Sequence, residues 1–492
     1  MTGRDEGPGG RDDGEDERSD EPDRAPDGED VDRDAGEEHT GEDGVDGPDA
    51  GAGGASAVPG GNRRRVVATL FLVVFIDLLG FGILIPVIPL YAKFFGANEF
   101  VGSLLIATYS LFQFFAAPVL GRLSDERGRR PILLLSLFGS VVAWTLFGVA
   151  PEVGDAVAGV GGLAVLFLAR ALAGAMGGNV ATANAYIADV TPPEDRARGL
   201  GILGAAFGLG FVFGPAISGV VSSPFALSAF RDLLPAAVPV SEYTMPSFTA
   251  AALSAANLAA AFVILPEPRR RARETTATAG SRLRRLYDAA TSPDVGSLVV
   301  AFFLASLAFA AFESQFIFLT SDRLGYGTAE NAVLLTYIGV VVAVVQGGLV
   351  GQLTDRFGEY RLALAGVAIQ AASIALFPFA PSWGAVPSVG PVSSGGVALA
   401  AVSTPLAFGN AVTNVSLNAL VSLSADAGEQ GGAFGLTQSA ASLARTVAPG
   451  AAGLLYVVVA FWSPFVAAGL VLVPVLALLG VVTREEVRRE TP

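Results

Sequence analysis

Two short polar motifs, each placed between two long apolar segments, constrain the fold of this chain most strongly. The first, GRLSDERGRRP, covers Gly121–Pro131, and the second, GQLTDRFGEYR, covers Gly351–Arg361. Glycine, leucine, serine or threonine, aspartate and glycine recur at the same offsets in both motifs. A short polar connection between apolar segments of membrane length predicts a helical hairpin that crosses a bilayer twice. We expect Gly121 to allow close helix approach and Gly128 to adopt the positive φ of a tight reversal. The repetition of the motif predicts a duplicated membrane protein, and proteins built from two such halves are usually transporters.

The apolar segments predict twelve transmembrane helices. Hydrophobic residues make up 52% of the chain and charged residues only 16%, which is typical of a polytopic membrane protein. Each segment approaches or exceeds the roughly 20 residues that cross the core of a bilayer. The predicted spans are residues 66–91, 100–120, 131–150, 160–188, 199–221, 246–265, 296–320, 329–350, 361–380, 396–422, 432–456 and 460–482. The predicted fold class is therefore all-α and integral to the membrane, with two six-helix bundles.

The distribution of charge predicts the domain boundaries and the orientation. Residues 1–62 hold 21 acidic side chains and 5 arginines, with almost no large apolar residues, which predicts a disordered cytoplasmic tail. A solvated extension is the favoured interpretation of this tail, and an interaction arm is the alternative. The two bundles are predicted at 63–265 and 296–483, joined by an arginine-rich cytoplasmic linker at 266–295 and followed by a short tail at 484–492. With both termini cytoplasmic, 21 arginines fall on the inner side, an asymmetry expected of a multi-pass protein of the plasma membrane.

The composition limits the chemistry that this chain can perform. Cysteine is absent, and the only histidine, His39, lies in the acidic tail. Disulfides and thiolate metal sites are therefore excluded, and carboxylates are the groups that can exchange protons inside the membrane. We expect no metal, no cofactor and no intramembrane enzyme. Binding of nucleic acid by the arginine-rich linker is far less favoured than a role as a connection between bundles.

Four charged residues lie deep in the predicted spans, where each costs on the order of 2.5–3.5 kcal/mol on insertion scales. They are Asp77, Arg170, Glu313 and Arg445. Asp77 and Glu313 are the candidate acids for binding a proton or another cation. Arg170 cannot lose its own proton, but it favours the ionised form of a carboxylate beside it. The alternative is a static ion pair between Asp77 and Arg170, and Arg445 is interpreted as structural.

Small residues and amides form two further helical patterns. The fifth span carries a glycine series with a Gly-Pro pair: Gly201, Gly210, Gly214, Pro215 and Gly219. Ordinary packing of small residues explains isolated glycines well but explains this full spacing poorly. The tenth span places three asparagines on one helical face: Asn410, Asn414 and Asn418. Together with Gln315 of the seventh span, they are predicted to line a polar substrate cavity, and hydrogen bonds between helices are the alternative.

Residues 63 to 483 resemble a major facilitator superfamily transporter. GRLSDERGRRP resembles that superfamily's signature loop after the second helix, although Glu126 stands where a basic residue is common. Arg170 with Gly174 resembles its fourth-helix motif, and the glycine series resembles its fifth-helix antiporter motif, with Ser218 in place of one glycine. With DLLGFGILIPVIP in the first span, these motifs are similar to drug/proton antiporters of the tetracycline-efflux type. The resemblance implies alternating access and a gating latch, whose residues are Gly121, Asp125, Gly128, Arg129, Arg130 and Asp189.

The expected function is secondary active transport. We expect a proton-coupled antiporter, monomeric in the bilayer, that exports small apolar or cationic compounds. A proton- or cation-coupled uptake symporter on the same fold is the first alternative, because only the resemblance favours export. A membrane-anchored receptor or scaffold that acts through the acidic tail is the second alternative.

Overall fold

The computed structural model describes residues 60–156, 161–177, 179–190, 193–267, 293–383, 387–388, 392–424 and 430–480. The acidic tail up to residue 59, linker residues 268–292 and the C-terminal tail lie outside the described residues. The predictions made for these segments therefore stay predictions.

The regular elements of the N-terminal half are helices. Their bounds are α1 Gly60–Leu84, α2 Ile88–Phe94, α3 Glu99–Arg127, α4 Arg129–Gly148, α5 Ala150–Ala156, α6 Gly162–Met176, α7 Asn179–Val190, α8 Pro193–Val221, α9 Pro224–Leu233 and α10 Thr244–Ile264. The first predicted span is divided between α1 and α2, because the chain turns at residues 85–87 beside Pro86. The fourth predicted span is likewise divided between α6 and α7.

The C-terminal half is also helical. Its elements are α11 Pro293–Leu324, α12 Thr328–Val344, a π-helix Val345–Leu349, α13 Val350–Phe357, α14 Glu359–Leu376, a 3₁₀ helix Phe377–Ser382, α15 Ser394–Ser424, α16 Gln430–Val458 and α17 Ser463–Val471. After α17, the same apolar span continues to Gly480.

The described residues of all twelve predicted segments are mainly helical, with the first and fourth segments each divided between two helices, which confirms the predicted fold class. By length and apolar composition, ten spans in the described residues qualify as membrane-crossing. An eleventh is possible if the pair Gly208–Val221 and Pro224–Leu233, bent by 66°, is one span. The remaining apolar helix, α6, is shorter than a span because the chain leaves helical geometry at Gly177.

The polar motifs differ from the predicted loops. α3 continues through Arg127 and α4 begins at Arg129, so Gly128 alone separates the two helices. Arginine, glutamate and leucine are good helix formers, and the helices therefore continue through the polar residues until a glycine ends them. Gly128 has a φ of 110° and Gly358 a φ of 77°, which confirms the positive φ expected at Gly128 and repeats it in the second half. Gly121 does not serve close helix approach, because a Cβ there would meet no described atom within 4 Å.

Each half builds its own apolar core and contacts the other chiefly through two helix pairs. One core combines residues of α1 to α6 with α10, and the largest core combines the helices from α11 onward with Leu90 of α2. Within the halves, α1 packs along α8, α4 along α10, α11 along α16 and α14 along α15. Between the halves, α3 packs on α16 and α8 on α12. The two cores correspond to the two six-helix bundles predicted from the duplicated motif.

Candidate functional site

Asp77 and Arg170 lie on different helices of the N-terminal bundle. Asp77 on α1 is half-buried and accepts a hydrogen bond from Ser140 Oγ of α4 at 3.3 Å. The guanidinium of Arg170 on α6 is 2% exposed and donates long hydrogen bonds of 3.5 Å to the carbonyl oxygens of Leu105 and Ile106 on α3. Its Nη1 has no hydrogen-bond partner among the described residues. A buried cation so weakly bonded needs another source of stabilisation.

Two aromatic rings provide that stabilisation. The guanidinium carbon of Arg170 lies 4.8 Å from the ring centroid of Tyr109 and 5.8 Å from that of Phe81. The negative faces of aromatic rings attract cations, most strongly where water is excluded. The observed contacts therefore place Arg170 among α3, α1 and α6, with carbonyls and ring faces as its neighbours.

Tyr109 is a functional candidate that the sequence analysis missed. It lies within electrostatic reach of Asp77, Arg170 and Arg445, so charges of both halves act on it. The glycines of α6 make room for it, because a Cβ at Gly174 would come within 2.2 Å of the Tyr109 carbonyl oxygen. The available signal was the spacing of Tyr109 and Gln113, which lie four residues apart on one face of the second span.

A cavity of about 210 Å³ is lined mainly by residues of the C-terminal half, with Phe211 of α8 added from the N-terminal half. Glu313 of α11 and Arg445 of α16 both line it. Arg445 lies within electrostatic reach of Glu313, and its Nη2 donates to Ser442 Oγ at 3.5 Å. The other lining residues are apolar or carry amides and hydroxyls: Phe211, Phe302, Ala305, Ser306, Phe309, Ala310, Gln370, Asn410, Thr413, Asn414 and Leu417. The cavity therefore combines one acid, one arginine and several hydrogen-bonding groups with three phenylalanine rings.

The amides predicted to line a cavity divide into two groups. Asn410 and Asn414 line it, and Asn410 Oδ1 accepts hydrogen bonds from Gln370 Nε2 at 3.4 Å and from Asn414 Nδ2 at 3.0 Å. Asn418 lies one turn further along α15, outside the lining, and donates to the Asn414 carbonyl oxygen at 2.8 Å. Gln315 also lies outside the lining. Because it follows Glu313 by two residues, it points to another side of α11, where it donates to Ser103 Oγ of α3 at 2.9 Å.

Three charged residues of the predicted gating latch come together at the start of α4. Arg129 Nη1 lies 2.6 Å from Asp125 Oδ1, and Arg129 Nε lies 2.9 Å from Asp189 Oδ2. Arg129 Nη1 also donates to Ser124 Oγ at 2.7 Å. The arginine side chain is only 11% exposed, so the two carboxylates and the hydroxyl replace most of its water. These contacts join α3, α4 and α7 within the N-terminal bundle.

Glu267 binds the same helix start and was not identified from the sequence. Its Oε1 accepts from the Arg129 backbone N–H at 2.7 Å, and its Oε2 accepts from the Arg130 backbone N–H at 3.0 Å. A carboxylate at this position satisfies N–H groups that have no intrahelical partner and favourably meets the helix dipole. A Cβ at Gly128 would approach Glu267 Oε1 to 2.6 Å. This close approach is a second reason, besides the positive φ, why position 128 requires glycine. Arg130 completes the contact, because its Nη2 donates to the Phe262 carbonyl oxygen at 2.6 Å.

The glycine series of the fifth span packs against the helix that carries Asp77. A Cβ at Gly214 would come within 2.5 Å of the Gly82 carbonyl carbon, and a Cβ at Gly210 within 2.9 Å of Leu78 Cβ. Gly219 faces α12 instead, with Ala332 Cβ at 3.1 Å from such an added atom. Gly201 and Pro215 lie within α8. Packing of small residues therefore accounts for Gly210 and Gly214, since it brings the α8 and α1 backbones together.

A duplicated set of membrane-length helices, with charged residues buried among them and facing a cavity, defines a multi-span carrier. Residues 70–449 match the sequence model of one protein family, the Major Facilitator Superfamily. The chain belongs to this superfamily, and it is a non-enzymatic membrane transport protein for small molecules.

Known proteins similar to the chain include tetracycline resistance proteins and a protein named for its major facilitator superfamily domain. The chain is 31% identical over 336 residues to the tetracycline resistance protein, class C, of Escherichia coli, covering 67% of this chain and 78% of that protein. It is 27% identical over 436 residues to the human major facilitator superfamily domain-containing protein 10, covering 80% of this chain and 88% of that protein. These matches confirm the resemblance to transporters of the tetracycline-efflux type.

Solved structures show the same fold. The crystal structure of the human organic anion transporter MFSD10 (TETRAN) aligns with a TM-score of 0.58 at 24% identity, covering 85% of this chain and 99% of that one. A second structure is that of a bacterial homologue of the human lysosomal transporter Spinster, in an inward-facing and occupied conformation. It aligns with a TM-score of 0.61 at 15% identity, and the alignment covers 86% of this chain and 97% of that one.

Proposed function

We propose that this protein is a proton-coupled antiporter that exports small apolar or cationic compounds by alternating access. The observation that carries the proposal is that each half holds one carboxylate and one arginine within its membrane-length helices. Asp77 and Arg170 lie in the N-terminal bundle, and Glu313 and Arg445 lie in the C-terminal half, where both line the cavity. Tyr109 lies within electrostatic reach of Asp77, Arg170 and Arg445, and therefore of charges in both halves.

In this proposal Asp77 carries the exchanged proton. A carboxylate away from water favours its neutral form, whereas a nearby cation favours its ionised form. When the transporter changes between its two access states, Asp77 moves relative to water and to Arg170. This movement changes the protonation of its carboxylate, so a proton is taken up or released. The turn at residues 85–87 separates α1 from α2, and α1 packs closely on α8 at Gly82 and Gly214. The helix α1, which carries Asp77, can therefore move as one piece.

Substrate binds in the cavity that Glu313 and Arg445 line. Phenylalanine rings at Phe211, Phe302 and Phe309 offer apolar surface to a flat or hydrophobic compound, and Glu313 attracts a positive group. Asn410 and Asn414 supply hydrogen bonds that fix its orientation. Arg445 balances the charge of Glu313 when the cavity holds no cation, because the two lie within electrostatic reach.

Export agrees with the relatives. The tetracycline resistance proteins of classes C and G, each 31% identical, are named for resistance to an antibiotic, and removal of a toxic compound gives resistance whereas uptake does not. In the proposed topology the protein is a monomer in the plasma membrane, and both termini and the arginine-rich motifs face the cytoplasm. The latch of Arg129, Asp125 and Asp189 then stabilises the cytoplasmic end of the N-terminal bundle.

A flux assay in proteoliposomes tests the proposal. The purified protein is reconstituted, a panel of cationic, neutral and anionic compounds is supplied, and a pH gradient of either sign is imposed. An antiporter accumulates cationic or apolar compounds on the more acidic side and dissipates the proton gradient as it does so. Accumulation on the more alkaline side would instead establish symport, and flux that is independent of the gradient would contradict proton coupling.

A further inference from the structure

We infer that Lys93, Glu99, Asp322 and Tyr456 form a polar closure that holds the two bundles together at the membrane face opposite the arginine-rich motifs. We call these four residues the Lys93 cluster. The inference rests on the proposed alternating-access function and assigns residues that close one side of the transport path.

The Lys93 cluster joins four helices from both halves. Lys93, the only lysine of the chain, lies at the end of α2, and its Nζ forms an ion pair with Asp322 Oδ1 at the end of α11. The same Nζ lies 3.2 Å from Glu99 Oε1 at the start of α3. Tyr456 Oη of α16 donates to Asp322 Oδ2 at 2.7 Å. The Lys93–Asp322 pair is therefore a direct polar link between the N-terminal and C-terminal halves.

The cluster and the Arg129 latch lie at opposite ends of one helix. Glu99 is the first residue of α3, and Arg127 is the last of its 29 residues. At 1.5 Å per residue the two ends are separated by roughly 40 Å, about the thickness of a bilayer with its headgroups. The Lys93 cluster therefore faces the side of the membrane away from the polar motif.

Further contacts between the halves occur on the same side. Glu242 Oε2, just before α10, accepts from the Thr328 backbone N–H at the start of α12 at 3.2 Å. A Cβ at Gly102 of α3 would approach Phe318 Cζ of α11 to 2.5 Å, which shows how closely the two bundles pack there. By contrast, among the described residues the polar contacts of Arg129 and Arg130 at the other end come from the N-terminal bundle and from Glu267 just after it. The two halves are thus bridged by polar and packing contacts on the side of the membrane where the Lys93 cluster lies.

The arrangement suits an interface that opens and recloses. The side chains of Lys93 and Asp322 are 24% and 32% exposed, so water can reach the pair. When the bundles separate, Lys93 keeps Glu99 as its partner, because both belong to the N-terminal half. Asp322 keeps Tyr456, because both belong to the C-terminal half. Neither charge is left without a partner, and the barrier to opening stays low enough for a transport cycle.

Distance measurements between spin labels test this inference. The chain contains no cysteine, so labels attach only at introduced positions. Ser228 on α9 and Ser382 after α14 are exposed and lie in different halves on the Lys93 side. In the double variant Ser228→Cys/Ser382→Cys we expect one main distance population. Adding Asp322→Asn or Lys93→Gln should create a second population at longer distance, whereas Lys93→Arg should retain the original one.

Asp232→Asn is the matched control, because Asp232 is an exposed acid on the same side, on α9. It should leave the distance distribution unchanged. Tyr456→Phe removes a hydrogen bond within the C-terminal half and leaves the Lys93–Asp322 pair in place, so it should also keep one main population. An unchanged distribution in Lys93→Gln would overturn the inference, whether or not Asp322→Asn yields folded protein. Since the measurement needs neither substrate nor a pH gradient, its outcome is independent of whether Asp77 carries the proton.

Discussion

Arg129 Nε lies 2.9 Å from Asp189 Oδ2, which links the start of α4 to the end of α7 across 60 residues of sequence. The same guanidinium holds Asp125 at 2.6 Å, so one arginine connects three helices at one end of the N-terminal bundle. Because Arg129 is 11% exposed and Asp189 36% exposed, the pair is partly shielded from water, and its loss costs more than that of a fully exposed pair.

Arg129→Ala should greatly reduce transport while the protein remains inserted and folded. Removal of the guanidinium leaves Asp125 and Asp189 close together without their shared cation, which destabilises the inner end of the N-terminal bundle. The measurement is the initial flux in proteoliposomes at matched protein content. Arg127→Ala is the control, because Arg127 belongs to the same motif and its side chain is exposed. Wild-type flux in Arg129→Ala would exclude a gating role for this latch.

Asp77→Asn should separate substrate movement from the pH gradient. The amide mimics a permanently protonated acid, so exchange of substrate down its own gradient should persist while accumulation driven by protons is lost. Asp77→Glu should keep part of the coupling, and Arg170→Ala should slow turnover at neutral pH. Ser140→Ala is a useful comparison, because it removes the donor to Asp77 at 3.3 Å without removing the carboxylate. If Asp77→Asn still concentrates substrate, the proton is carried elsewhere, and Glu313 is the next acid to test.

Gly214→Ala should destabilise the protein, whereas Gly208→Ala in the same helix should not. A Cβ at Gly214 would come within 2.5 Å of the Gly82 carbonyl carbon, but a Cβ at Gly208 would meet nothing within 4 Å among the described residues. Overpacking of this kind typically costs about 1–3 kcal/mol, while alanine in place of an unhindered helical glycine gains up to about 1 kcal/mol. Thermal unfolding in detergent measures both effects. Equal melting temperatures for the two variants would contradict the close approach of α1 and α8.

Glu313→Gln and Arg445→Gln should change affinity for cationic substrates in opposite directions. Glu313→Gln removes the negative charge of the cavity and should weaken binding of a cation by on the order of 10-fold, or about 1.4 kcal/mol. Arg445→Gln removes a like charge and should strengthen it. Affinity for neutral compounds should change little in either variant. Direct binding to purified protein measures these effects, with the exposed Asp355→Asn as control, and a fall in cation affinity in Arg445→Gln would contradict this model of the cavity.

The helices and the duplication were predictable because they follow local rules. A bilayer requires about 20 apolar residues per helix, and such segments are visible without knowledge of their neighbours. The positive φ of Gly128 was predictable for the same reason, since only the adjacent residues and the need for a reversal enter the argument. Asn410 and Asn414, four residues apart, were assigned to one face by helical periodicity alone, and both line the cavity.

The tertiary structure decided what depends on residues distant in sequence. The sequence by itself determined twelve apolar segments, a repeated polar motif and the few charges buried within the spans. It did not determine that Glu267 caps α4, because the two lie 138 residues apart and no local pattern links them. It also did not determine that Tyr109 covers Arg170, or that Gln315 turns from the cavity to Ser103. Helical periodicity establishes which residues share a face, but only the packing of other helices determines what that face contacts.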